Sequence, residues 1–112
     1  MANYNRMDRI SEEVKKELSL IIRELKDPRI TTVVSVVNVK VTKDLKFAKA
    51  YISVFGDEKA QKGVIDALES ASGFIRREIG RRVKLRATPE FSFVLDNSIE
   101  YGAHINEVLK NL

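Results

Sequence analysis

A helical pattern in this chain runs up to Ala71-Ser72-Gly73 and restarts at once as Phe74-Ile75-Arg76-Arg77-Glu78-Ile79-Gly80-Arg81-Arg82-Val83-Lys84-Leu85-Arg86. Small side chains let two helices meet closely, and glycine relieves the backbone constraint at their junction. Ala71, Ser72 and Gly73 are therefore the expected helix kink. At 100° per residue, Ile75, Ile79 and Val83 share one face of the restarted helix, while Arg77, Arg81 and Lys84 fall opposite. Arg76 and Arg82 flank the boundary, where their stems cover apolar surface and their guanidinium groups reach solvent.

The segments on either side of this pair complete the pattern. Met7, Ile10, Val14, Leu18, Ile21, Ile22 and Leu25 recur at helical spacing, and Pro28 disfavours helical geometry just before it, so a first helix ends near Lys26-Asp27-Pro28. Its mixed charges, among them Glu12, Glu13, Lys15 and Lys16, read as a solvated face. Thr31 to Thr42 is dense in β-branched valines and reads as a strand. After the polar bend Lys43-Asp44-Leu45-Lys46, Ala48, Ala50, Ile52 and Val54 alternate with Phe47, Lys49, Tyr51, Ser53 and Phe55. Such alternation predicts a second strand, antiparallel to the first, with one face for packing under helices. Its other face shows Lys49 and Tyr51, joined by Lys40, and could stack bases. Gly56 ends that strand, and Asp57-Glu58 opens a helix to about Ser70, with Ala60, Val64, Ala67, Leu68 and Ala71 inward. Beyond the linker Ala87-Thr88-Pro89, Phe91, Phe93 and Leu95 alternate with polar neighbours as a third strand. Asn97-Ser98 caps an expected last helix carrying Ile99, Ile105, Val108, Leu109 and Leu112.

With 112 residues, 44% of them hydrophobic, the chain reads as one domain with a real core. It has no cysteine, which removes disulfides and thiolate metal sites and fits a reducing compartment. The start lacks a signal peptide's apolar run, and no stretch approaches the roughly 18 apolar residues of a membrane span, so a cytoplasmic, soluble protein is expected.

Catalytic chemistry finds little footing. His104 is the only histidine, and a metal site from His104, Glu100 and Glu107 would place three ligands on one short exposed helix, a weak pattern. No phosphate loop or dinucleotide fingerprint occurs, and no serine has a visible base. A non-enzyme without metal or cofactor is expected.

The charge distribution points elsewhere. Residues 71–89 hold six basic side chains and one acid, a net of +5, whereas the remaining 14 basic and 15 acidic groups give −1. The formal +4 of the chain is thus a local feature. Such a patch suits a polyanion, and arginine's planar fork matches phosphate oxygens. Free backbone N–H groups near Gly73 and Phe74 would add to it. A solubilising surface is the alternative reading of the same run, with nucleic acid favoured over it. A membrane-surface helix is less apt, since the apolar arc is short and needed for the core. Arg76, Arg77, Arg81, Arg82, Lys84 and Arg86 are the candidate phosphate contacts, with Lys40, Lys49 and Tyr51 in second rank.

The order helix, strand, strand, helix, break, helix, strand, helix resembles the type II K-homology fold, an α+β architecture with helices on one face of a three-stranded sheet. There a Gly-x-x-Gly loop between two helices clamps the nucleic-acid backbone. Ala71-Ser72-Gly73 replaces that loop here. This departure, the run Leu85-Arg86-Ala87-Thr88-Pro89-Glu90-Phe91-Ser92-Phe93-Val94-Leu95-Asp96-Asn97-Ser98, the opening Arg6-Met7-Asp8-Arg9-Ile10 and the closing Gly102-Ala103-His104-Ile105 are similar to the ribosome-binding factor A family. The resemblance implies a bacterial cytoplasmic, monomeric factor that binds the 30S ribosomal subunit and 16S rRNA late in maturation. It also implies promotion of 16S rRNA 5′-end processing, a role in growth at low temperature, and release aided by a ribosome-associated GTPase. Losing the Gly-x-x-Gly loop favours structured rRNA over the usual single-strand groove. A protein-interaction module docking on ribosomal proteins is the alternative.

Overall fold

The computed structural model describes residues 6–96, and within them the elements run α1 (Arg6–Glu24), β1 (Val34–Val41), β2 (Phe47–Val54), α2 (Glu58–Ser70), α3 (Ser72–Arg82) and β3 (Glu90–Leu95). This is the expected α+β order up to the third strand. The last helix, with His104, Glu100 and Glu107, falls outside the described residues.

The sheet has the order β1-β2-β3. β1 and β2 form the expected antiparallel hairpin, while β3 joins β2 in parallel, which requires the chain to cross over through α2 and α3. The packing side of β2 is as the alternation indicated: Ala48, Ala50, Ile52 and Val54 are buried against Val14, Leu18, Ile21 and Ile22 of α1, Val64 and Leu68 of α2, and Ile75 and Ile79 of α3. Phe91 and Phe93 close the core from β3.

β1 is shorter than the expected Thr31 to Thr42, and its ladder begins at Val34. The register shifts between Val36 and Asn38, a bulge that reverses the parity of the strand. Val34 and Val36 before it, and Val39 and Val41 after it, all pair with the core-facing residues of β2. Without the extra residue, one of these pairs would turn toward water.

The bend between β1 and β2 is less polar than it reads. Leu45 is buried and has φ 62°, a left-handed conformation unusual for a branched side chain, which turns it inward. Asp44 holds the bend by accepting from the Thr42 hydroxyl at 2.7 Å and the Lys46 N–H at 3.0 Å. The first helix ends at Glu24, slightly before the proline signal. Beyond it, Asp27 accepts from the Arg29 N–H at 2.8 Å and its guanidinium at 2.7 and 3.1 Å. The Arg29 side chain, then its backbone N–H, hold the Asp27 carboxyl down to about 2.

Candidate nucleic-acid interface

The junction of α2 and α3 is narrower than the triplet indicated. A single residue, Ala71, leaves helical geometry, with φ −90° and ψ 6°, and Ser72 already begins α3. The Ala71 N–H donates to the Ala67 carbonyl at 3.0 Å, and the Ala71 carbonyl accepts from the Ile75 N–H at 2.8 Å. Alanine therefore turns the chain while serving both helices. Gly73 does not fill its expected role: its φ lies outside the positive range, and an added Cβ would meet nothing within 4 Å. Neither backbone freedom nor close approach requires glycine there.

Along α3, Ile75 and Ile79 are buried with no solvent exposure, which turns Arg77 and Arg81 outward. Lys84 does not share that helical face. The helix stops at Arg82, because Val83 adopts an extended conformation (φ −118°, ψ 124°) while its N–H still donates to the Ile79 carbonyl. Val83 stays buried as the period indicated, but Lys84 and Arg86 belong to the following segment, where both are exposed.

Three of the six candidate cations have partners within the fold. Arg76 donates through Nε and a terminal nitrogen to the Thr88 carbonyl at 3.2 and 3.1 Å, tying residues 83–89 back to α3. Arg82 reaches Glu24 of α1 at 2.7 Å and Glu78 at 3.2 Å, so its guanidinium is held rather than solvated. Arg81 bonds the other Glu78 oxygen at 2.8 Å while most of its side chain stays exposed. Arg76 remains solvent-exposed, as expected, while the expectation that Arg82 points its charge to water is corrected. The side chains of Arg77, Lys84 and Arg86 have no hydrogen-bond or ion-pair partner among the described residues.

Glu78 is the pivot of this network. Its side chain is only 10% exposed, and the hydrogen bond from Arg81, aided by Arg82, lowers its pKa despite burial. Arg82 is shifted upward in turn, mainly by its bond to Glu24. Gly80 is the glycine with a steric task here: a Cβ on it would meet Thr88 Oγ1 at 2.9 Å, so its absence lets the 83–89 segment lie on the helix. Neither the Glu24–Arg82 pair nor the Arg76–Thr88 contact is local in sequence. No local pattern in the sequence signals either.

The second-rank residues gather on the opposite face of the sheet, which carries no helix among the described residues. Lys40 and Lys49 are cross-strand partners, and Lys40 Nζ lies 5.8 Å from the centroid of the Tyr51 ring. Phe47 and Ser92 line the same shallow depression. The structure thus brings Lys40, Lys49 and Tyr51 together, but not with the arginines of α3. Among the described residues no cluster of His, Cys, Asp or Glu could hold a metal ion, and no helix is long and apolar enough to cross a membrane.

A family model for ribosome-binding factor A matches residues 6–109. The chain belongs to the ribosome-binding factor A family. Curated family members from Clostridium botulinum and Clostridium tetani are each 58% identical over 113 aligned residues, covering all of this chain and 93% of theirs. The crystal structure of ribosome-binding factor A from Thermus thermophilus has a TM-score of 0.73 at 26% identity, covering 82% of this chain and 97% of that one. A Thermus thermophilus homology model, fitted into a cryo-EM map of a 30S complex of that factor, has a TM-score of 0.65 at 28% identity. It covers 78% of this chain and 91% of that one.

Proposed function

We propose that residues 1–112 act as a single K-homology-like RNA-binding domain that binds the free 30S subunit through 16S rRNA, without catalysis and without a cofactor. The observation that carries this reading is the set Arg77, Lys84 and Arg86, exposed on α3 and the segment after it and unpartnered among the described residues. Exposed cations with no internal partner can neutralise phosphates at little structural cost. Arg81 adds a fourth charge that exchanges Glu78 for phosphate, while Arg76 and Arg82 hold the surface in shape. Lys40, Lys49 and Tyr51 add contacts from the sheet.

In this proposal the protein is a cytoplasmic monomer acting late in small-subunit maturation. It favours one rRNA arrangement by binding it more tightly than others, which shifts the folding population without a chemical step. The proposal extends to promotion of 16S rRNA 5′-end processing, support of growth at low temperature, and release with a ribosome-associated GTPase, a reading supported by the likeness to this family. Sedimentation of the tagged protein in cell extract tests the reading: it should travel with free small subunits and leave mature ribosomes, and an even distribution over both contradicts it. A second reading, docking on ribosomal proteins, is favoured by the exposed apolar side chains of Val33 (69%) and Phe55 (78%). Binding insensitive to salt would select it.

A further inference from the structure

The sheet face away from α1, α2 and α3 holds an arrangement that packing does not explain. Lys40 and Lys49 stand directly opposite each other on antiparallel strands, where like charges repel. Neither has an ion-pair partner among the described residues. Beside them lie Tyr51, under the Lys40 ammonium, and Phe47, whose ring is on the open face with the residue 54% exposed. Ser92 of β3, across from Lys49, adds a hydroxyl. Cations beside exposed aromatic rings on a sheet are the parts that hold a single nucleic-acid strand: phosphates take the charges and bases stack on the rings. The acid Glu90 lies at the rim, opposite Phe47, where it borders the site without dividing the two lysines.

We infer that this face takes an unpaired stretch of RNA, separately from the α3 surface on the other side of the molecule, with Phe47 and Tyr51 stacking bases and Lys40 and Lys49 contacting phosphates. The inference rests on the RNA-binding reading above and gives the sheet a distinct ligand class. A bound base displaces the Lys40 ammonium from the Tyr51 ring toward a phosphate. Together the two faces would let one molecule hold a folded rRNA element and a neighbouring single strand.

The test uses the full chain and a fluorescently labelled, unstructured ten-nucleotide RNA of adenine and cytosine, with an abasic ribose-phosphate decamer of equal charge beside it. Tyr51→Ala combined with Phe47→Ala should weaken binding of the base-bearing RNA at least fivefold and bring it to the level of the abasic one. Lys49→Glu places a carboxylate opposite Lys40, so it should weaken binding at least fivefold while the denaturation midpoint stays at or above that of the unaltered protein. Lys59→Glu on α2 provides the equal-charge control and should change binding less than twofold. Equal affinity for both decamers, or aromatic variants that bind as the unaltered protein does, would overturn the inference. So would sheet variants that lose 30S binding alone, which would assign the face to a ribosomal protein. Retained 30S binding by the unaltered protein keeps such failures distinct from failure of the RNA-binding reading itself.

Discussion

Gly73 and Gly80 lie in the same helix and meet opposite surroundings. Around Gly73 there is open space, so Gly73→Ala should gain the helix propensity of alanine, about 0.5–1 kcal/mol in denaturant unfolding. A loss there would restore glycine to the role its place in the triplet first indicated. Against Gly80 the Thr88 side chain is already at contact distance, so Gly80→Val should cost about 1–3 kcal/mol by overpacking. Glu78 carries a pH signature. Its pKa is lowered in the folded state, so its contribution is present above the ordinary carboxylate range and is lost as pH falls through the lowered value. Glu78→Gln should therefore be destabilising near neutrality, with the difference from the unaltered protein shrinking as pH falls below the ordinary glutamate range. Thermal melts across pH check this, and a difference independent of pH would show that shape, not charge, gives Glu78 its role.

At the scale of elements, periodicity carried most of the fold, and its failures have physical causes. The alternation of Ala48, Ala50, Ile52 and Val54 and the helical spacing of Ile75, Ile79 and Val83 named core residues correctly, because a buried face leaves a repeating trace. Val83 also concealed the end of α3: a residue leaving a helix in extended form can still be buried, so the wheel carried Lys84 onto a face it does not share. The bulge in β1 was not legible, since valines at 33, 34, 36, 37, 39 and 41 offer both parities; only the pairing shows that the core-facing ones change from even to odd positions across Val37. The arginines were harder to sort. Whether a guanidinium is bound inside the fold depends on contacts such as Arg82 with Glu24, which no local pattern encodes. Truncating the helix's anchor should unseat the whole basic surface. Ile75→Ala, at a position with no exposure, should cost about 2–5 kcal/mol in denaturant unfolding, and a loss well under 1 kcal/mol would mean that α3 is not fixed by this core.

The described residues form two layers with different chemistry on their outer surfaces, arginines over α3 and lysines with aromatic rings on the sheet. Counting all six cations of residues 71–89 as phosphate contacts would give a salt slope of roughly −5 in log K against log salt, by the duplex coefficient. With Arg76 and Arg82 engaged inside the fold, the three unpartnered cations and Arg81, which exchanges Glu78 for phosphate, bring its contribution to roughly −4. Salt titration of binding to structured 16S rRNA fragments should separate these values, and a flat response would favour docking on protein. The most direct test reverses the charges that have no internal partner. Purified 30S subunits are titrated with the protein and with a variant carrying Arg77→Glu, Lys84→Glu and Arg86→Glu, after denaturation shows that both are equally stable. The expected result is an affinity at least tenfold lower for the variant, and equal affinity would contradict the assignment of this surface to rRNA.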